Sequence, residues 1–400
     1  MSDVTREEAV AEVARRATEV GIRRVHLLAW RDYDDPEAGG SEVHAHELAK
    51  LWSEAGVEVL MRTSYAVGRP RVASRDGYEV VRKAGRYLVF PRAALAEITR
   101  SHGARDAVVE VWNGMPFLSP VWTRSPKIVV IHHVHAEMWR MALPPMLAKL
   151  GNRIEERWAP PFYRDTLVVT PSESSRDDII ERLGLRPERV QVVHNGIGSR
   201  FVPGADPTVP RPHEILAVGR LVPVKRFDML IRGAAEARRS VPDLTLTIVG
   251  DGYERERIEA LIQRLGAHDW IRLTRHVSND ALLEHYQRAR VVASASVREG
   301  WGLTLTEAAA CGTPSVATRV VGHIDTVADG VSGILVDDEQ ELGEALARVC
   351  LDDEYWQGLV TGAIRHASRF SWDRTAVGIF GALADEAADW GNRGRSGRWR

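Results

Sequence analysis

The sequence predicts an α/β protein made of two doubly wound, parallel-sheet domains facing each other across a cleft. Three observations carry this. In both halves short β-branched runs alternate with stretches of helical periodicity, the pattern of parallel strands covered by helices on both faces. The length of 400 residues suits two domains of ordinary size. Between the halves, residues 201–214 hold four prolines (Pro203, Pro207, Pro210, Pro212) and no apolar period, which reads as a linker. The expected division is 1–205, 206–371 and a C-terminal piece, 372–400.

In chain order, residues 1–18 read as a charged amphipathic helix rather than a secretory signal. First-half strands are expected at 25–29, 57–61, 107–112, 128–133, 167–170 and 190–193. A helix follows the Gly39-Gly40 turn, with Leu48, Leu51, Trp52 and Ala55 on one face. Second-half strands are expected at 215–218, 244–249, 271–277, 291–295, 315–317 and 333–336, with helices such as 227–239, 281–289 and 303–310 between them. Helical segments from 339 to 390 finish the fold, and the polar, basic residues 392–400 read as a frayed tail.

Apolar content of 44% and charged content of 27% are those of a soluble globular protein, and a formal net charge of −2 gives no footprint for a nucleic-acid partner. No apolar run is long enough to span a bilayer. Cys311 and Cys350 lack metal-type spacing and suggest a reducing compartment, with the cytoplasm as default.

Ligands of doubly wound sheets sit at the carboxyl ends of strands, so post-strand loops are where chemistry is expected. The richest runs from Glu299 through Gly300, Trp301, Gly302 and Leu303 to Glu307. A glycine turn opening a helix directs free amides and the positive end of the helix dipole at one point, which favours a phosphate. The carboxylates of Glu299 and Glu307, repelled by a phosphate, suit hydroxyls on either side of it. Hydroxyls flanking a phosphate describe a nucleotide sugar. Arg220 and Lys225 follow the strand at 215–218 and suit a leaving diphosphate. A solvated basic loop is the plainer reading of those two residues taken alone.

Gly39-Gly40-Ser41-Glu42 opens a helix after the first strand, either as a tight turn or as a second close approach to phosphate. The dinucleotide fingerprint G-x-G-x-x-G is absent there, which argues against a nicotinamide cofactor. His132, His133 and His135 end a strand, with His133 and His135 expected on one face and no fourth zinc ligand at sensible spacing. Asp32-Tyr33-Asp34 has the form of a divalent-metal motif, but with Arg220 and Lys225 available no metal is required.

The segment 298–314, closing on Glu-Ala-Ala-Ala-Cys-Gly-Thr-Pro, together with Gly219-Arg220-Leu221 and Lys225, resembles the donor-site signature of family 4 glycosyltransferases of the GT-B fold. The resemblance spans nearly the whole chain, densely from 215 to 336. It implies a retaining, metal-independent hexosyltransferase with no cofactor beyond a nucleoside diphosphate sugar, UDP or GDP being the favoured carriers. It implies catalytic roles for Arg220, Lys225, Glu299 and His133. Donor contacts are implied for Gly39, Gly40, Gly250, Val277, Gly300, Trp301, Gly302, Leu303 and Glu307. It also implies that the first domain binds the acceptor and that the last helix crosses back to it.

Asn113 and His135 are the acceptor-side residues expected, the acceptor being a glycan, a lipid or a small molecule. The stretch from Trp139 to Arg157 mixes aromatic, apolar and basic residues. It reads either as an ordinary helix with core and solvent faces or as peripheral contact with the inner face of an anionic membrane. Departures from the family pattern are Ala295 for a usual proline, Arg290 for a usual acid, and Val321-Gly322-His323 for paired glycines. Two other readings keep the fold: a sugar-nucleotide epimerase or hydrolase, and a binding module that has lost catalysis.

Overall fold

The computed structural model describes residues 4–207 and 209–395, and the chain divides into two compact units. One is Met1–Gly196 with Trp372–Arg400; the other is Ile197–Ser371.

The first unit opens with α1 (Arg6–Val20), capped by Thr5, whose hydroxyl accepts the Glu8 amide. There follow β1 (Arg24–Leu28), α2 (Gly40–Glu54), β2 (Glu58–Thr63), β3 (Val72–Arg75), β4 (Tyr78–Arg82), α3 (Val89–Ile98) and β5 (Ala107–Val111). Next come α4 (Ser119–Trp122), β6 (Lys127–Val130), α5 (Met138–Ala142), α6 (Pro145–Arg153), α7 (Pro160–Tyr163), β7 (Leu167–Thr170), α8 (Glu173–Leu183) and β8 (Val190–Val192). The eight strands are ordered β3-β4-β2-β1-β5-β6-β7-β8, parallel except for the β3–β4 hairpin. β1, β5 and β6 are buried along their whole or nearly whole length, as strands covered on both faces must be.

The second unit carries β9 (Glu214–Val218), α9 (Phe227–Ser240), β10 (Thr245–Val249), α10 (Arg255–Arg264), β11 (Ile271–Thr274), α11 (Asn279–Arg288) and β12 (Val291–Ser294). It ends with α12 (Leu303–Ala310), β13 (Ser315–Thr318), α13 (His323–Thr326), β14 (Gly333–Val336), α14 (Glu339–Leu351) and α15 (Asp353–Ala367). Its six strands are all parallel, in the order β11-β10-β9-β12-β13-β14. The last helix, α16 (Trp372–Arg395), belongs to the first unit, where its Ala376 carbonyl accepts the Trp52 indole N–H of α2 at 3.0 Å.

Several sequence expectations are corrected. The strand expected at 128–133 stops at Val130, so the three histidines lie on a loop and the shared-face argument for His133 and His135 does not apply. The strand expected at 271–277 stops at Thr274, leaving Val277 in the following loop. The β3–β4 hairpin was not expected. Residues 392–395 continue α16 instead of fraying; 396–400 lie outside the described residues.

The proline-rich stretch at 201–214 is not a free linker. Arg211 donates to the Ala289 carbonyl at 2.9 Å, the Gly312 carbonyl at 3.1 Å and the Thr313 hydroxyl at 2.6 Å, and Phe201 meets Tyr286 edge-on. These contacts fasten it to the second unit.

Candidate active site

In the second unit the chain leaves β9 outward through β10 to β11, then returns to β12 on the other side of β9. That reversal is the topological switch point of the sheet, and ligands bind there, beyond the strand ends. Two post-strand loops meet at this place. One follows β9 and carries Arg220 and Lys225; the other follows β12 and carries Glu299.

Lys225 Nζ donates to Glu299 Oε1 at 2.5 Å, and Ser296 Oγ donates to the same oxygen at 2.7 Å. His323 is buried beside them, its Nδ1 2.9 Å from the Thr318 carbonyl and its Nε2 3.4 Å from Ser294 Oγ. Burial pushes the Glu299 carboxyl up, but the Lys225 ammonium, His323 and the Ser296 hydroxyl outweigh it and hold the group at about 2. Burial lowers His323, against the pull of Glu299. Arg220 is exposed and makes no ion pair among the described residues.

The backbone around Glu299 is fixed by a close approach. Gly322 has φ +86°, and a Cβ there would lie 2.6 Å from the Glu299 carbonyl oxygen. The Glu299 amide in turn donates to the Val321 carbonyl at 3.1 Å. Gly250 plays the same part on the other flank: a Cβ on it would lie 2.0 Å from the Gly219 carbonyl oxygen. So the loops after β9, β10, β12 and β13 are locked to one another through positions that admit no side chain.

α12 begins at Gly302 with no side-chain cap, so its first-turn amides and the positive end of its dipole are presented beside Glu299. Trp301 points inward, packing edge-on against Phe370 with ring centroids 5.0 Å apart, and Leu303 packs against the same cluster. The Trp301 side chain is buried in that cluster and the Leu303 side chain half-buried against it. Glu307, one turn further, accepts from the Tyr286 hydroxyl at 2.9 Å. Burial raises its carboxyl to about 7, with Tyr286 and Arg200 pulling the other way. The paired carboxylates therefore sit in opposite electrostatic surroundings. Val277 packs on the cluster holding Leu305 and Tyr286. Sequence reasoning did not assign Ser296, His323 or Tyr286 to the site.

The first unit has its own switch point, between β1 and β5. Gly39 precedes α2 there, and its amide is already taken by Glu42 at 2.7 Å. Asn113, just after β5, donates from Nδ2 to the Ser41 hydroxyl at 3.4 Å, which brings the glycine turn and Asn113 together. His135 is held by Glu155, beyond the end of α6: its amide donates to Glu155 Oε1 at 3.0 Å, and its Nδ1 lies 3.2 Å from the same oxygen. The His133 and His135 rings lie tilted against each other, centroids 4.9 Å apart. His132 is buried against His44, ring centroids 4.8 Å apart, and burial pushes it down to about 4.

Asp32 and Asp34 are taken up by ion pairs with arginines. Asp32 is fully buried and pairs with Arg75 at 3.0 Å and Arg82 at 3.1 Å; Asp34 pairs with Arg75 at 2.5 Å and Arg82 at 3.2 Å. Among the described residues no group of three or more acidic, histidine or cysteine side chains is placed to hold a metal ion.

Two Rossmann-like domains with this constellation define a glycosyltransferase of the GT-B fold. The family models glycosyl transferases group 1 and glycosyltransferase family 4 match residues 205–365 and 38–199, and the chain belongs to family 4. It is 36% identical over 94% of both chains to the D-inositol 3-phosphate glycosyltransferase of Salinispora arenicola. Its fold is similar to that of sucrose-phosphate synthase from Thermosynechococcus elongatus (TM-score 0.76, 21% identity, 90% of this chain and 98% of that one). It is also similar to HepE of Anabaena in complex with UDP and glucose (TM-score 0.70, 19% identity, 91% and 100% covered). No helix among the described residues is long and apolar enough to cross a membrane.

Proposed function

We propose that the protein is a retaining, metal-independent hexosyltransferase using a UDP- or GDP-sugar. The observation that carries this is the Lys225–Glu299 pair beside the uncapped start of α12, at the switch point of the second sheet. In this reading the diphosphate lies against Lys225, Arg220 and the amides of Gly300 to Leu303. Glu299 accepts from sugar hydroxyls and Glu307 from the ribose. Gly250 and Val277 border the nucleoside.

As the bond to the anomeric carbon breaks, negative charge grows on the diphosphate. Two cations and a helix dipole stabilise that charge without a metal. No carboxylate stands out as a covalent nucleophile, so the acceptor hydroxyl attacks from the face the diphosphate leaves, giving its proton to a leaving phosphate oxygen. Gly39, Gly40 and His133 serve the reacting sugar; Asn113 and His135 serve the acceptor.

The bound UDP and glucose of HepE and the acceptor in the name of the Salinispora relative support a nucleotide sugar and, as the first acceptor to try, a phosphorylated cyclitol. The reading places the protein in the cytoplasm, with peripheral contact at the inner membrane face.

Calorimetry with a panel of UDP- and GDP-sugars in chelator, followed by product analysis with and without acceptor, tests it. One sugar nucleotide is expected to bind without metal, and Glu299→Gln to abolish transfer. Undiminished transfer by Glu299→Gln, or a new nucleotide sugar formed without acceptor, would sink it.

A further inference from the structure

The first unit carries an apolar face that its own fold leaves uncovered. In α6, Ala148 and Gly151 point inward, where Gly151 packs on the buried Trp139. The outward face bears Met146, Leu147 and Leu150, with Met146 85% exposed. Trp158 and Phe162 continue it through the following turn and α7, and Met141 precedes it on α5. This inverts the usual arrangement, in which the solvent side of a surface helix is polar.

The charges beside this face that make no ion pair have one sign. Arg140, Lys149, Arg153, Arg157 and Arg164 are all exposed, and none makes an ion pair among the described residues. Met146, Leu150, Arg153 and Arg157 follow at steps of four, three and four, one stripe along a helical run. The acids of the stretch are spoken for: Glu155 is buried against His135 and Trp139, Glu156 lies 3.7 Å from Arg182, and Asp165 pairs with Arg186 at 3.0 Å.

We propose that this face of α5–α7 is a docking surface for an anionic lipid bilayer. The apolar side chains enter the headgroup region while the cations meet lipid phosphates. A second copy of the chain on a two-fold axis would set five unpaired cations against the same five, whereas an anionic surface neutralises them. The proposal deepens only the membrane-contact part of the reading above and is independent of the transfer chemistry.

Flotation of the full chain with vesicles of phosphatidylcholine alone, or mixed with phosphatidylglycerol, tests it. Recovery is expected with the anionic vesicles and falls as salt rises. Each cation near an anionic surface contributes about fivefold to partitioning, so Arg153→Glu/Arg157→Glu should lower it by at least about 25-fold. Met146→Glu/Leu150→Glu should also release the protein. Both variants should keep the wild-type melting curve and sugar-nucleotide binding, a readout that reports on the transferase reading separately. Absent binding, or equal recovery with neutral vesicles, overturns the proposal. So does a dimer in sedimentation equilibrium that these substitutions split, which would assign the face to a second copy.

Discussion

Lys225→Ala removes the cation that lies 2.5 Å from Glu299, and its cost can be worked from the carboxylate it leaves behind. Glu299 is held at about 2 against a reference value of 4.5. A shift of that size corresponds to roughly 3 kcal/mol of preference for the ionised form in the folded protein. Burial opposes the shift, and the Lys225 ammonium is the largest favourable contribution. Without it, Ser296 and His323 alone face the desolvation cost.

The two side chains are 23% and 18% exposed, so the loss belongs above the ~0–1 kcal/mol of a surface pair and at or below the ~3–5 kcal/mol of a broken buried one. We expect roughly 2–3 kcal/mol at pH 7. Because the folded value is depressed, this stabilisation is present above pH 4.5 and disappears as pH falls from there toward 2. The gap between wild type and variant should therefore close over that interval. Urea unfolding read by amide exchange in β9 and β12 isolates the unit that carries the pair. Glu299→Gln added to Lys225→Ala should recover most of the loss. A cost under about 0.5 kcal/mol at pH 7, or a gap as wide near pH 2 as at pH 7, refutes the electrostatic reasoning.

Glu307 titrates in the opposite sense. Its raised value, about 7, means the folded state holds a proton the unfolded chain has released, so stability falls between pH 4.5 and 7 by at most about 3 kcal/mol. Glu307→Gln should flatten that slope in the pH dependence of the denaturation midpoint. Asp32→Asn should destabilise the first unit by roughly 1.5–3 kcal/mol, because Arg75 and Arg82 lose a buried charged partner but keep Asp34. Sugar-nucleotide binding by Asp32→Asn, measured by calorimetry with divalent cation and with chelator, should be equal in both; a metal-dependent difference would contradict the ion-pair account.

The parallel strands of both units were legible because their apolar runs are short, β-branched and bounded by turn residues. The helix 303–310 was read to the residue. The β3–β4 hairpin escaped for a physical reason: β3 is an exposed edge strand, Val-Ala-Ser-Arg, with no buried face to impose alternation. Its signal was the Asp76-Gly77 pair, both at positive φ (43° and 87°), the signature of a tight hairpin turn. The histidine run misled because strand propensity persists past Val130, where the ladder with β7 ends and the chain turns into the loop. The stretch 201–214 read as a linker because the five acceptor groups that Arg211 reaches come from residues 75 to 102 positions away. Ser296, His323 and Tyr286 carry no local pattern at all. They join the carboxylates only when α11, α13 and the loop after β12 are in place.

The spacing of Glu299 and Glu307 puts two chemically identical side chains in unlike surroundings, one on a loop facing a lysine and one on a helix facing a tyrosine hydroxyl. Such divergence is how a site gives two carboxyls separate tasks. In the proposed reading the consequence is sharpest for Glu299. Its Oε1 is occupied by Lys225 and Ser296 before any donor arrives, so a donor cannot simply add to the site. The diphosphate must take the ammonium while a sugar hydroxyl takes the carboxylate. Each half of a donor compensates the charge the other half uncovers. A nucleoside diphosphate without its sugar would leave Glu299 partly buried and without its cation, and a free sugar would leave Lys225 still bound to it. Both fragments should therefore bind more weakly than their sum suggests, and the intact sugar nucleotide is the ligand this ion pair selects.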